Sequence, residues 1–241
     1  MLPFFIESFL FCISNQEMKQ KLYNYLSSFI TENRKELIET KILDRTNYLT
    51  VVLEDIYQSQ NASAVLRTSD CFGIQTVHVV ENKNQYKINP DVALGAANWI
   101  DLFKYNSSEN NTLDVITKLK NEGYRIVATV PNHKAVSLEE FDLAKGKVAL
   151  FFGTELEGLS EVMINNADEF LKINMFGFTE SFNISVSAGI ILHQLSGKLR
   201  QSNINWQLSE DENINIKLAW VRRSLKKSEM IEKEFFKKNQ I

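Results

Sequence analysis

From Met18 to about Lys41 apolar side chains recur at every third or fourth position, at Leu22, Tyr25, Leu26, Phe29 and Ile30, with no glycine or proline among them. This spacing predicts an amphipathic helix. Short apolar runs rich in β-branched and aromatic residues follow at 48–55 (YLTVVLED), 74–80 (IQTVHVV), 124–130 (YRIVATV), 147–153 (KVALFFG) and 169–174 (EFLKIN). Helical periodicity occupies 60–72, 111–122 and 160–166 between them. Such alternation predicts an α/β domain built on a largely parallel sheet flanked by helices. A helix of about five turns from Ser181 to Arg200, and a last one from about Asn213 to Lys238, complete the pattern. There is no internal repeat and no low-complexity tract.

A chain of 241 residues with 44% apolar side chains has ample material for a core. Its 27 basic residues against 30 acidic ones leave a net charge of -3. That balance carries no global signature of polyanion binding, so any nucleic-acid face must be local. The last helix offers one, interleaving Leu218, Val221 and Leu225 with Arg222, Arg223, Lys226 and Lys227. The basic strip reads either as a solvated helix face or as a contact for RNA phosphates. Cys12 and Cys71, with His78, His133 and His193, are too dispersed for a disulfide framework or for metal-ligand spacing. No metal is expected, and a reducing cytoplasm is the natural compartment. The apolar opening lacks a basic leader and a small-residue cleavage site, carries Glu7, and is too short to span a bilayer. It reads as neither signal peptide nor membrane anchor. Met18 opens a stretch like a cytosolic start, which makes residues 1–17 either an upstream extension or a short docked segment.

The glycines exclude the common nucleotide sites. None of the nine forms G-x-G, and there is no G-x-x-x-x-G-K-[ST] and no G-x-S-x-G. Three polar and glycine-bearing clusters remain. In 59–73 (SQNASAVLRTSDCFG), Arg67 is the one basic residue of a helix built from small and apolar groups. In 151–160 (FFGTELEGLS), an apolar strand ends at Gly153, followed by Glu155 and Gly158; strand ends of parallel sheets are where ligands dock. In 173–195 (INMFGFTESFNISVSAGIILHQL), Ser181, Asn183 and Ser185 crowd a helix start that one cap would satisfy, and the small residues after them allow close packing on the sheet or on a partner.

These clusters, in this order and spacing, resemble the three motifs of the SpoU/TrmH branch of the SPOUT RNA methyltransferases. NASAVLRTSDCFGI resembles the first, LFFGTELEGLS the second and INMFGFTESFNISVSAGIIL the third, with Phe182 where the family commonly has leucine. The resemblance covers about Tyr48 to Arg200. It implies an α/β knot fold with a deep C-terminal trefoil knot, which general topology rules would not have suggested. It also implies S-adenosylmethionine as methyl donor, a ribose 2′-hydroxyl of RNA as acceptor, and a homodimer.

Carried over by position, the resemblance assigns the cofactor to Thr129, Gly153, Ile173 and Phe182. It assigns catalysis to Asn61, Arg67, Glu155, Ser181 and Asn183. Asn61 and Glu155 would shape the site, Ser181 and Asn183 would order the knot loop and the ribose, and Arg67 would face the 2′-oxygen. A guanidinium has no acceptor and stays protonated, so Arg67 acts either by transient proton loss or as a fixed charge. The implied organisation is an N-terminal helical extension over 18–46, a catalytic domain over 47–200 and a basic helical tail over 201–241. The short N-terminus is too small for a separate RNA-binding domain. Together with the basic C-terminal helix, it resembles the tRNA members that methylate guanosine 18 of the D-loop. A 23S rRNA ribose methyltransferase and a non-catalytic RNA-binding or assembly protein are the alternatives.

Overall fold

The computed structural model describes residues 16–131 and 135–239. The expected upstream extension lies outside the described residues as far as residue 15, and Gln16 and Glu17 already belong to a helix. The principal helices are α1 (Gln16–Ser27), α2 (Glu32–Lys41), α3 (Ser59–Cys71), α4 (Asn111–Asn121), α5 (Glu161–Asn166), α6 (Ile184–Gln201), α7 (Glu210–Ser224) and α8 (Ser228–Lys238). The strands are β1 (Leu49–Glu54), β2 (Thr76–Val80), β3 (Asp101–Tyr105), β4 (Arg125–Thr129), β5 (Val136–Ser137), β6 (Val148–Phe152) and β7 (Glu169–Lys172). They fall into two compact units, one spanning Thr46–Trp206 and the other formed from the chain up to Arg45 and from Gln207 onward.

The central unit is a parallel sheet in the order β3-β2-β1-β6-β4-β7-β5. Every residue of β1 and β6 is buried, as middle strands covered on both faces must be. On one face Val51, Leu53 and Leu150 pack with Val65 and Leu66 of α3 and Ile191 and Leu195 of α6. On the other, Val52 and Phe151 pack with Ile116 and Leu119 of α4 and Met163 of α5. Alternate residues of one strand therefore feed opposite cores. Strand β7 lies between β4 and β5, both of which precede it in the chain. The unit closes with Thr46 Oγ1 donating to the Trp206 carbonyl at 2.6 Å and Arg200 over the Trp206 ring.

In the helical unit, α1 packs on α7. Lys19 pairs with Asp211 at 2.5 Å, and Lys217 pairs with Glu39 at 3.0 Å while lying over the Tyr23 ring. Trp220 is fully buried there, beneath the Arg45 guanidinium.

Several element boundaries differ from the periodicity. The single helix expected from Met18 to Lys41 is two, because Ser28 Oγ takes the Tyr25 carbonyl at 2.7 Å and Thr31 caps a new helix at the Arg34 amide. The last helix is also two. Arg222 grips the Glu232 carboxylate with Nε at 2.6 Å and Nη2 at 3.3 Å, whereas in an unbroken helix ten residues would separate them by about 15 Å. The helix expected from Ser181 begins at Ile184. Strand β3 was not anticipated: it is a half-exposed edge strand without a continuous apolar run.

Candidate active site

Strands β6, β4 and β7 lie side by side, and a cavity of about 420 Å³ opens beyond their carboxyl ends. The four residues expected at a cofactor, Thr129, Gly153, Ile173 and Phe182, all line it, as do Glu155 and Ser181. Phe152, Leu171, Ile184 and Ile191 supply an apolar wall. This is the place at which open parallel sheets hold ligands.

The wall at Gly153 has a specific cause. A Cβ there would overlap the backbone of Gly158 and Leu159. The loop between them is cinched by paired backbone hydrogen bonds, Thr154 N to Gly158 O at 2.9 Å and Gly158 N to Thr154 O at 3.1 Å. Gly158 itself turns at φ +71, a conformation that glycine adopts without steric cost. Behind the loop, Ser160 caps α5 and donates to the buried Glu54 carboxylate with Oγ at 2.7 Å and N at 2.9 Å; Thr112 Oγ1 adds a third bond at 2.6 Å. Glu54 thus anchors the loop from the end of β1. Thr129 is fixed by donating Oγ1 to the Phe151 carbonyl at 2.7 Å.

Three of the five residues expected to be catalytic meet in one hydrogen-bond chain. Asn61, in the first turn of α3, donates Nδ2 to Glu155 Oε1. Its Oδ1 accepts from Asn183 Nδ2 at 3.2 Å. Asn183 is the N-cap of α6 and accepts from the Ser185 amide at 2.9 Å and hydroxyl at 2.6 Å. The polar residues crowding this helix start therefore divide their work: Asn183 caps, Ser185 steadies the cap, and Ser181 lies ahead of the helix on the cavity wall.

Arg67 is not drawn into this chain. It lies exposed on α3, outside the cavity lining, and makes no hydrogen bond or ion pair among the described residues. Of the basic strip, Arg222 is committed to Glu232, while Arg223, Lys226 and Lys227 are exposed.

Sequence reasoning missed Glu54, whose signal was a carboxylate ending a strand that is otherwise apolar but for Thr50. It also passed over Glu157 and Glu180, which line the cavity. Among the described residues no helix is long and apolar enough to cross a membrane.

A family model described as the SpoU rRNA Methylase family matches residues 48–193. The tRNA (guanosine(18)-2′-O)-methyltransferase of Borreliella burgdorferi is 47% identical over 212 residues, 88% of this chain and 95% of that protein. The Aquifex aeolicus protein of the same name is 29% identical, over 79% of this chain and 90% of that one. Among solved structures, the Aquifex aeolicus TrmH/SpoU tRNA modifying enzyme matches with a TM-score of 0.71 at 28% identity, covering 81% of this chain and 98% of that one.

Proposed function

The chain belongs to the SpoU rRNA methylase family, and from that premise we propose that it methylates the ribose 2′-hydroxyl of guanosine 18 in tRNA with S-adenosylmethionine as donor. The 47% identity to a tRNA (guanosine(18)-2′-O)-methyltransferase, across nearly the whole of both chains, carries the choice of substrate.

The cavity suits the donor on its own geometry. Its volume of about 420 Å³ lies within the range of roughly 300–1,000 Å³ usual for small-molecule sites. Glycine at 153 leaves room where any side chain would collide with the loop. Ile173 and Phe182 would hold the faces of the adenine, and backbone at Thr129 and Gly153 would approach its edge. When bound, S-adenosylmethionine supplies an electrophilic methyl group on a cationic sulfur.

The remaining work falls to the chain's own residues. The Glu155–Asn61–Asn183 chain holds the loop before α5 against α3 and α6, so the groups that place the ribose do not reorganise during reaction. Ser181, on the cavity wall, would meet the acceptor ribose. The bound donor would supply a methyl carbon to the 2′-oxygen with the electron pair of the broken bond kept on sulfur, and the hydroxyl proton would pass to solvent. We assign Arg67 to stabilising the charge that develops on that oxygen, because a guanidinium keeps its proton and donates hydrogen bonds. Arg223, Lys226 and Lys227 would meet tRNA phosphates. A homodimer fits the fully exposed Leu156, Phe176 and Phe178, which lie on the two segments flanking the cavity. Large apolar side chains left bare next to a site commonly mark an interface.

Incubation of the purified protein with radiolabelled S-adenosylmethionine and either a tRNA transcript or ribosomal RNA tests the assignment. Label is expected in tRNA and lost when guanosine 18 is replaced by a 2′-deoxynucleotide. Label in rRNA alone overturns the tRNA reading, and label in neither overturns the enzymatic one.

A further inference from the structure

The charged side chains among the described residues lining the cavity are all acidic: Glu155, Glu157 and Glu180. They differ in what balances them. Glu155 accepts from Asn61 and belongs to the chain described above. Glu157 pairs with Lys83 at 3.1 Å. Glu180 makes no hydrogen bond or ion pair among the described residues. It directly precedes Ser181 and shares the wall with Phe182 and Ile173.

An uncompensated carboxylate at the wall of the cavity favours whatever positive charge enters. The reaction proposed above changes the charge of the molecule held here. S-adenosylmethionine carries a sulfonium, an ammonium and a carboxylate, for a net charge of +1. S-adenosylhomocysteine, the product, carries a thioether in place of the sulfonium and is neutral overall. Shape and hydrogen-bonding groups are otherwise nearly the same, so the apolar wall and Thr129 cannot discriminate the two. Charge can.

We propose that Glu180 is a specificity-determining residue that biases the cavity toward the cationic donor and against the neutral product, so that product leaves and donor replaces it. The inference rests on the cavity being the donor site. The carboxylate is solvent-accessible, which limits its effect to a few-fold in affinity. That is enough to set the order of exchange when donor and product are present at similar concentrations.

The test is isothermal titration calorimetry of the full chain with S-adenosylmethionine and, separately, with S-adenosylhomocysteine. Wild type, Glu180→Gln, Glu180→Asp and Glu157→Gln are compared at low and at high salt, with thermal melts confirming that each is folded. Glu180→Gln is expected to weaken donor binding about two- to fivefold and to leave product binding nearly unchanged, as loss of an exposed charge contact predicts. Glu180→Asp should retain the wild-type ratio, and Glu157→Gln, whose charge Lys83 balances, should move it less than Glu180→Gln does. High salt should reduce the wild-type preference. Equal loss of both ligands, or no change in either, overturns the charge-selection role while leaving the donor site intact. If wild type binds neither molecule, the cavity assignment itself falls, and the proposal with it.

Discussion

Asn183 Nδ2 donates to Asn61 Oδ1 at 3.2 Å, joining the N-cap of α6 to the first turn of α3 across 122 residues of sequence. The same Asn61 amide holds Glu155 on the loop after β6. Asn61 is thus the shared partner of the other two, and its loss frees both at once.

Asn61→Ala should therefore lower methyl transfer by on the order of 100-fold, the scale expected when reacting groups are misplaced by about an ångström. Stability should fall by about 1 kcal/mol, since the hydrogen bonds lost are solvent-accessible. Single-turnover rates with saturating tRNA, alongside urea melts, check both. A rate within twofold of wild type would remove the chain from the mechanism.

Asn183 permits a sharper separation. Asn183→Asp keeps the acceptor that caps α6 at the Ser185 amide but loses the Nδ2 donor to Asn61. Asn183→Ala loses both. The aspartate variant should melt like wild type yet transfer methyl slowly, while the alanine variant should be slow and about 1 kcal/mol less stable, the usual worth of an N-cap. Equal activity in the aspartate variant and wild type would confine Asn183 to capping.

Gly153→Ala should abolish donor binding, because the added Cβ must displace the Gly158 backbone and open the loop that walls the cavity. Overpacking against backbone typically costs about 1–3 kcal/mol, so the protein should still fold. Calorimetry with S-adenosylmethionine reads the loss, and wild-type affinity in this variant would place the donor elsewhere.

Much of this site was legible because its elements are local. A glycine at a strand end, a capping asparagine and an apolar five-residue run each act over a few residues, so pattern and turn chemistry locate them. What escaped depends on partners far away in the chain. The break between α7 and α8 brings Arg222 to Glu232, ten residues on, and β3 is a strand because β2 offers it an edge. The role of Glu54 appears only when Thr112 and Ser160 fold over it. Arg67 marks the opposite limit. The resemblance singled it out, yet it makes no hydrogen bond or ion pair among the described residues.

His78 gives the fold an acid sensitivity independent of the site. Its side chain is buried on β2, with Nδ1 3.0 Å from the Tyr105 hydroxyl. Burial, and secondarily the Lys118 charge, depress its pKa to about 3. An unfolded histidine protonates near 6.5. Between those values the unfolded chain binds the extra proton, so stability is fully present above about pH 6.5 and declines by up to about 1.4 kcal/mol per unit as pH falls toward 3. Urea denaturation from pH 7 to 4 should show this slope, reduced by about one proton in His78→Phe. An unchanged slope in that variant would assign the acid sensitivity to other groups.

Arg67 carries the most consequential prediction. Because it lies outside the cavity lining, Arg67→Ala should bind S-adenosylmethionine as wild type does while losing methyl transfer by roughly 100- to 1,000-fold, the scale seen when one donor to a developing oxyanion is removed. Arg67→Lys distinguishes how the arginine acts. A fixed charge is partly replaced by an ammonium, so that variant should retain activity between alanine and wild type, with a flat rate profile between pH 7 and 9. If the residue must give up its proton, lysine titrates near 10.4, well below arginine. The lysine variant would then gain rate tenfold per pH unit over that range. Near-wild-type turnover in Arg67→Ala would exclude the residue from the reaction altogether.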